Sequence, residues 1–132
     1  MPEPEFRNCF VCGQDNPIGL KLEFFYDKEN AWCHWTTHSD YEGYPGIMHG
    51  GIISTLLDEV MAKVILSKGQ TAVTTELNVK FKKPALQGKT YKVSGTVVNQ
   101  RKRLIECSAV ICDAEDEKHV IAEATATYWR ID

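Results

Sequence analysis

Residues 49–67, "HGGIISTLLDEVMAKVILS", are the only run in this 132-residue chain long and periodic enough to make a substantial helix. Gly69 stands just beyond it as a stop signal. The other apolar stretches alternate. "IGLKLEFFYD" and "NAWCHWTTH" flank "DKEN" and read as a hairpin ahead of the helix. Four strand-like runs follow it: "TAVTTELNVKFKK", "TYKVSGTVVNQ", "RLIECSAVICD" and "HVIAEATATYWRI". Between them lie the turn signals "PALQGK", "NQRKR" and "DAEDEK". The order is ββαββββ, which an α+β architecture satisfies: a largely antiparallel sheet of six strands around one central helix.

One domain over residues 1–132 is the expectation, opened by an irregular arm (1–17) rich in Pro, Asn, Gly and Cys. Residues 39–48, with Gly43, Pro45 and Gly46, read as a shaped loop. Hydrophobic residues at 43% and charged residues at 25% fit an ordinary globular chain, and no apolar stretch reaches membrane-spanning length. The opening "MPEPEF" has neither the basic region nor the apolar core of a leader. A net charge of −3 gives no reason to expect nucleic acid as a partner. Five cysteines, an odd number, favour reduced thiols and a cytoplasmic setting.

Turning each helical residue by 100° collects Ile53, Leu56, Leu57, Val60, Met61 and Val64 into a broad apolar arc. Glu59 and Lys63 fall opposite, four residues apart in the favourable order, and read as a solvated helix-face pair. Asp58 falls at the margin of the arc. A carboxylate there needs a reason, because its charge is costly beside apolar surface. Gly50 and Gly51 sit where a helix start leaves backbone N–H groups without internal acceptors. Those donors suit a carbonyl oxygen that gains negative charge in acyl transfer, and the carboxylate suits attack or activation of water. On spacing alone, "HGG" as a mere tight turn and Asp58 as an exposed polar residue stand equally open.

The segment "GYPGIMHGGIISTLLDEVM", with "TTELNVKFKKPALQG" and the strand order, resembles the hotdog-fold acyl-CoA thioesterases, in the branch typified by phenylacetyl-CoA thioesterase. The resemblance runs from about residue 16 to the end. It implies a hotdog fold, a long helix lying in a curved antiparallel sheet. It further implies that Gly51, with Gly50, polarises a thioester carbonyl, and that Asp58 is the nucleophile or general base. His49 would shape the turn or assist near the leaving group, and Thr74 would orient water. Several relatives carry Asn or Gln six residues before the His, where this chain has Gly43.

Cys9 and Cys12 with His34 and His38 spell C-x2-C-x21-H-x3-H, a spacing that invites a zinc reading. Histidines four apart on a strand lie ~13 Å apart, too far to share one ion, so no metal and no cofactor are expected. Lys80, Lys82 and Lys83 are candidates for the phosphates of CoA. Trp32, Trp35 and Trp129 read as sheet-face packing. The expected activity is hydrolysis of an acyl-CoA to a free acid and CoA, with acyl-CoA as the partner. The alternative is a non-catalytic acyl-CoA or acyl-carrier binding module. Gly50 and Asp58 are eight residues apart, ~12 Å along a helix, too far to meet at one thioester carbon. A second chain would supply the missing half, so a homodimer with shared sites is expected, with a tetramer as a further assembly.

Overall fold

The structure, a computed structural model, describes residues 6–132; the first five residues of the expected arm lie outside the described residues. Strands β1 (Phe25–Tyr26) and β2 (Asn30–Thr36) precede helix α1 (Gly50–Ser67). Strands β3 (Ala72–Phe81), β4 (Thr90–Arg101), β5 (Leu104–Asp113) and β6 (Asp116–Arg130) follow it. All six strands join one antiparallel sheet in the order β1-β2-β4-β5-β6-β3. Helix α1 packs against every strand from β2 to β6, so the sheet wraps it as expected.

Period-two alternation fixes which face of each strand meets the helix. Tyr91 and Val93 on β4, Ile105, Cys107, Ala109 and Ile111 on β5, and Ala122, Ala124, Ala126 and Tyr128 on β6 are all buried. They meet the arc of Ile53, Leu56, Leu57, Val60, Met61 and Val64, every member of which is buried. Each such side chain contributes about 1.5–3 kcal/mol of transfer free energy. Gly95 on β4 lies close against the helix. A Cβ there would lie 3.1 Å from Val60 Cγ1 and 3.2 Å from the Val60 carbonyl oxygen. The helix ends as Gly69 takes a φ of 79° and its N–H bonds the Leu66 carbonyl.

Two local expectations are corrected. The first strand is only two residues long, because the backbone just before it pairs with the arm instead of the sheet. Leu20 N–H bonds the Phe10 carbonyl, Leu22 N–H bonds the Val11 carbonyl, and Lys21 between them takes a φ of 55°. The "DAEDEK" turn is also tighter than read, with Asp113 paired directly to Asp116 so that half of the segment belongs to β6. Trp35 is buried against Tyr91 at 6.1 Å between ring centroids, whereas Trp129 is about half exposed.

Candidate active site at the start of α1 and the β3–β6 pair

The loop 39–48 delivers His49 to the head of α1. His49 N–H bonds the Tyr41 carbonyl at 2.7 Å, and Met48 N–H bonds the Ala85 carbonyl at 2.8 Å. His49 is the helix N-cap, in extended backbone (φ −65°, ψ 134°), and its Nδ1 accepts the Gly51 N–H at 2.8 Å. The imidazole therefore does the job usually given to Ser or Asp, satisfying one orphan donor of the first turn. The Gly51 N–H is thus engaged within its own chain. The Gly50 N–H, one residue earlier, is left without an acceptor among the described residues. Gly43 bonds the Ile47 carbonyl through its N–H and offers no side chain to the site.

Two turns further along, Asp58 is half-buried and its Oδ1 is held from two sides. Thr74 Oγ1 donates to it at 2.7 Å, and so does the Tyr128 hydroxyl at 2.7 Å. The same hydroxyl lies 2.8 Å from the Asp58 carbonyl oxygen. Thr74 and Tyr128 are direct cross-strand partners on β3 and β6. The second carboxylate oxygen, Oδ2, has no hydrogen-bond donor among the described residues. Burial, and then the bond to Asp58, push the Tyr128 phenol far above its ordinary pKa, so it remains a donor.

Thr74 reaches Asp58 because β3 is bulged. The register jumps between Thr74 and Glu76, leaving Thr75 as the extra residue, with its hydroxyl bonded to Thr127. Leu77 and Val79 pack toward the core, and simple alternation back from them would aim Thr75 at the helix. The bulge resets the phase, so Ala72 packs inward and Thr74 meets Asp58. The Thr74–Thr75 pair is therefore resolved in favour of Thr74 as the residue that meets the carboxylate.

Sequence reasoning did not single out Tyr128. It lies in "ATATYWRI" as one more inward position after three alanines. Its signal was chemical, since a fully buried tyrosine hydroxyl must find a partner.

The lysines do not converge on this site. Lys82 pairs with Glu123 at 3.2 Å, and Lys83 Nζ lies 3.5 Å from His119 Nδ1. Lys80 borders a cavity of about 580 Å³ with Asn78, Ser94, Thr96, Ser108 and Thr125, on the sheet face turned away from α1. Gly50, Gly51 and Asp58 do not line it.

The other carboxylate, Glu59, is not solvated as expected. Its side chain is 20% exposed and that of Lys63 only 7%, with Nζ 3.7 Å from Glu59 Oε2. The arm lies over them. Val11 and Cys12 are buried, and the Phe6 and Phe24 rings lie 5.3 and 5.7 Å from the Lys63 ammonium. Periodicity marked this helix face as polar, but could not show that residues 6–24 cover it. Burial works to lower the Lys63 pKa, but Cys12 and Glu59 outweigh it and hold the ammonium above its ordinary value. Burial pushes the Cys12 thiol up to about 11. All five cysteines are free. His34 is exposed on β2, and His38 caps the 3-10 turn Ser39–Tyr41, accepting the Asp40 N–H at 3.1 Å.

One helix inside one antiparallel sheet, with a capped helix start and a held carboxylate, defines a hotdog-fold protein. The chain belongs to the thioesterase superfamily, whose family model matches residues 45–120. Mouse acyl-coenzyme A thioesterase THEM4 is 32% identical over 93% of this chain and 54% of its own length. This chain thus spans about half the length of the curated relatives it matches. Among solved structures, the Escherichia coli PaaI protein of the phenylacetic acid degradation operon superposes with a TM-score of 0.77 at 21% identity, covering 84% of each chain. A Streptococcus pneumoniae thioesterase-like protein with coenzyme A does so with a TM-score of 0.77 at 21% identity, over 83% of this chain and 87% of that one. That protein was also solved with an Asp-to-Ala and with a Thr-to-Ala change, at positions sixteen apart. No helix among the described residues is long and apolar enough to cross a membrane.

Proposed function

We propose that this chain hydrolyses an acyl-CoA thioester to the free acid and CoA. One observation carries the reading: a carboxylate whose Oδ1 is fixed by Thr74 and Tyr128 while its Oδ2 stays open. Two donors orient the group and disperse charge on one oxygen, leaving the other to attack the acyl carbon or to draw a proton from water. The Gly50 N–H, at the positive end of the α1 dipole, would receive the developing oxyanion. Gly51 contributes indirectly, through the bond to His49 that fixes the first turn. The spacing of Asp58 and Thr74 supports this assignment. They are sixteen residues apart, as are the Asp and Thr replaced in the pneumococcal protein.

The two halves of this chemistry are separated along one helix, so we infer a two-fold dimer in which Gly50 of one chain faces Asp58 of the other. Strand β3 supports the pairing. It forms one edge of the sheet over ten residues, with Val73 and Phe81 exposed along it. Such an edge templates association with another chain. For the CoA phosphates we retain Lys80 and Lys83 as candidates; Lys82 would first have to leave Glu123. Reduced thiols are consistent with a cytoplasmic setting. A thiol-release assay over a panel of acyl-CoAs tests the activity, and turnover of at least one of them is expected. Binding of CoA esters without release would instead favour the non-catalytic module, to which the absent side chain at Gly43 and the engaged Gly51 N–H lend support.

A further inference from the structure

Across α1 from Asp58, the described residues bring Cys9, Cys12 and Glu59 together, with both sulfurs and a carboxylate oxygen all within 4.8 Å of one another. We propose that these three residues bind one thiophilic divalent cation of the zinc type, fastening the arm onto α1. The expectation of no metal rested on His34 and His38 as partners for the cysteines. Neither belongs to the cluster, and Glu59, from fifty residues along the chain, takes their place.

The local backbone is already shaped for a metal. Gly13 N–H bonds the Cys9 carbonyl at 2.9 Å and closes a tight turn around "CFVC". A Cβ at Gly13 would lie 2.3 Å from the Cys9 nitrogen, so the turn as built requires glycine. Cys12 N–H points at Cys9 Sγ at 3.5 Å, so the turn already directs a backbone donor at the sulfur. Tetrahedral bonds of ~2.3 Å to sulfur and ~2.0 Å to oxygen place ligand atoms roughly 3.5–3.8 Å apart. Cys9 Sγ and Glu59 Oε2 are already 3.4 Å apart, so small side-chain rotations complete the geometry.

Charge also balances. Two thiolates and one carboxylate on a divalent ion leave one negative charge. The Lys63 ammonium, 3.7 Å from Glu59 Oε2, neutralises it. Two sulfur ligands select zinc-like ions over magnesium or calcium. The fourth position falls to solvent, because Cys9 is only partly buried. On the side of α1 away from Asp58, the ion acts as a staple rather than a reagent.

The test titrates Co(II) alone into the full chain, reduced with a phosphine and stripped of metal. One equivalent should produce a thiolate-to-cobalt charge-transfer band and the strong visible bands of a four-coordinate ion, both erased by Zn(II). Glu59→Gln should weaken binding by roughly tenfold or more, and Cys9→Ser should abolish the charge-transfer signature. Because the cysteine variant can fail to fold, the unaltered chain supplies a second readout. Zn(II) should slow alkylation of Cys9, mapped by mass spectrometry, and leave Cys107 unaffected. Absence of the cobalt band in the unaltered chain, or alkylation of Cys9 indifferent to zinc, overturns the proposal.

Discussion

Asp58 and Glu59 are consecutive carboxylates on one helix, yet they face different environments. Asp58 points toward β3 and β6, where two hydroxyls hold one oxygen and leave the other open. Glu59 points under the arm, where a buried ammonium and a thiol compete for the same oxygen. A 100° turn of the helix separates a carboxylate prepared for chemistry from one committed to holding chain together. The difference lies in the donors: neutral hydroxyls orient a charge without cancelling it, whereas an ammonium cancels it.

The largest effect should come from Asp58→Ala, which is expected to cut thioester turnover by ~10²-fold or more. Its melting temperature should stay close to that of the parent chain. Gly50→Pro should lose a comparable factor, on the order of 10²-fold, through its single missing N–H. Proline is well tolerated at this first helical position, and His49 before it is already extended, as proline requires. Mixing these two inactive chains and refolding them should restore about a quarter of the parent activity, since half the dimers are mixed and each has one intact site. Mixed dimers that form and stay inactive would break the shared-site reading.

On the other side of the helix, Lys63→Met should act on stability rather than turnover. Leaving Glu59 without its ammonium is expected to cost ~1–3 kcal/mol in a denaturant melt, reduced from the fully buried case because Glu59 keeps some solvent. Tyr128→Phe sharpens the contrast, removing one of the two donors to Asp58. Turnover should fall by roughly tenfold, with a loss of ~1 kcal/mol in stability. Glu59→Gln should have the smallest kinetic effect, threefold or less at about the scale of a remote substitution. If Glu59→Gln proved as damaging as Asp58→Ala, the two sides would not be chemically distinct.

Much of this was legible in the chain. The periodicity of residues 49–67 located the helix, its buried arc and the marginal position of Asp58. Alternation gave four of the six strands their full length. The failures share one physical cause: local pattern carries no information about what arrives from elsewhere. The polar back of α1 looked solvated because the arm that covers it lies some fifty residues earlier. Strand β1 looked long because the arm's competition for the Leu20 and Leu22 N–H groups is invisible to alternation. Tyr128 looked like packing because only its register opposite Thr74 shows what its hydroxyl meets. Gly51 looked like a free donor, and only the His49 rotamer shows that it is engaged.

The irregularity at Thr75 has a consequence for chain length. Losing one residue from within Leu77–Phe81 would exchange the inward and outward faces of whatever lies on one side of the gap. Losing Thr75 would not, because Ala72 and Thr74 already stand in step with Leu77 and Val79 once the surplus residue is gone. Single-residue deletion in this strand is therefore tolerable in one place, and that place adjoins the threonine that touches Asp58. A deletion scan along β3 should show survivors clustered at the bulge, Thr74 to Glu76, where losing either threonine gives the same chain, and intolerance from Leu77 to Phe81.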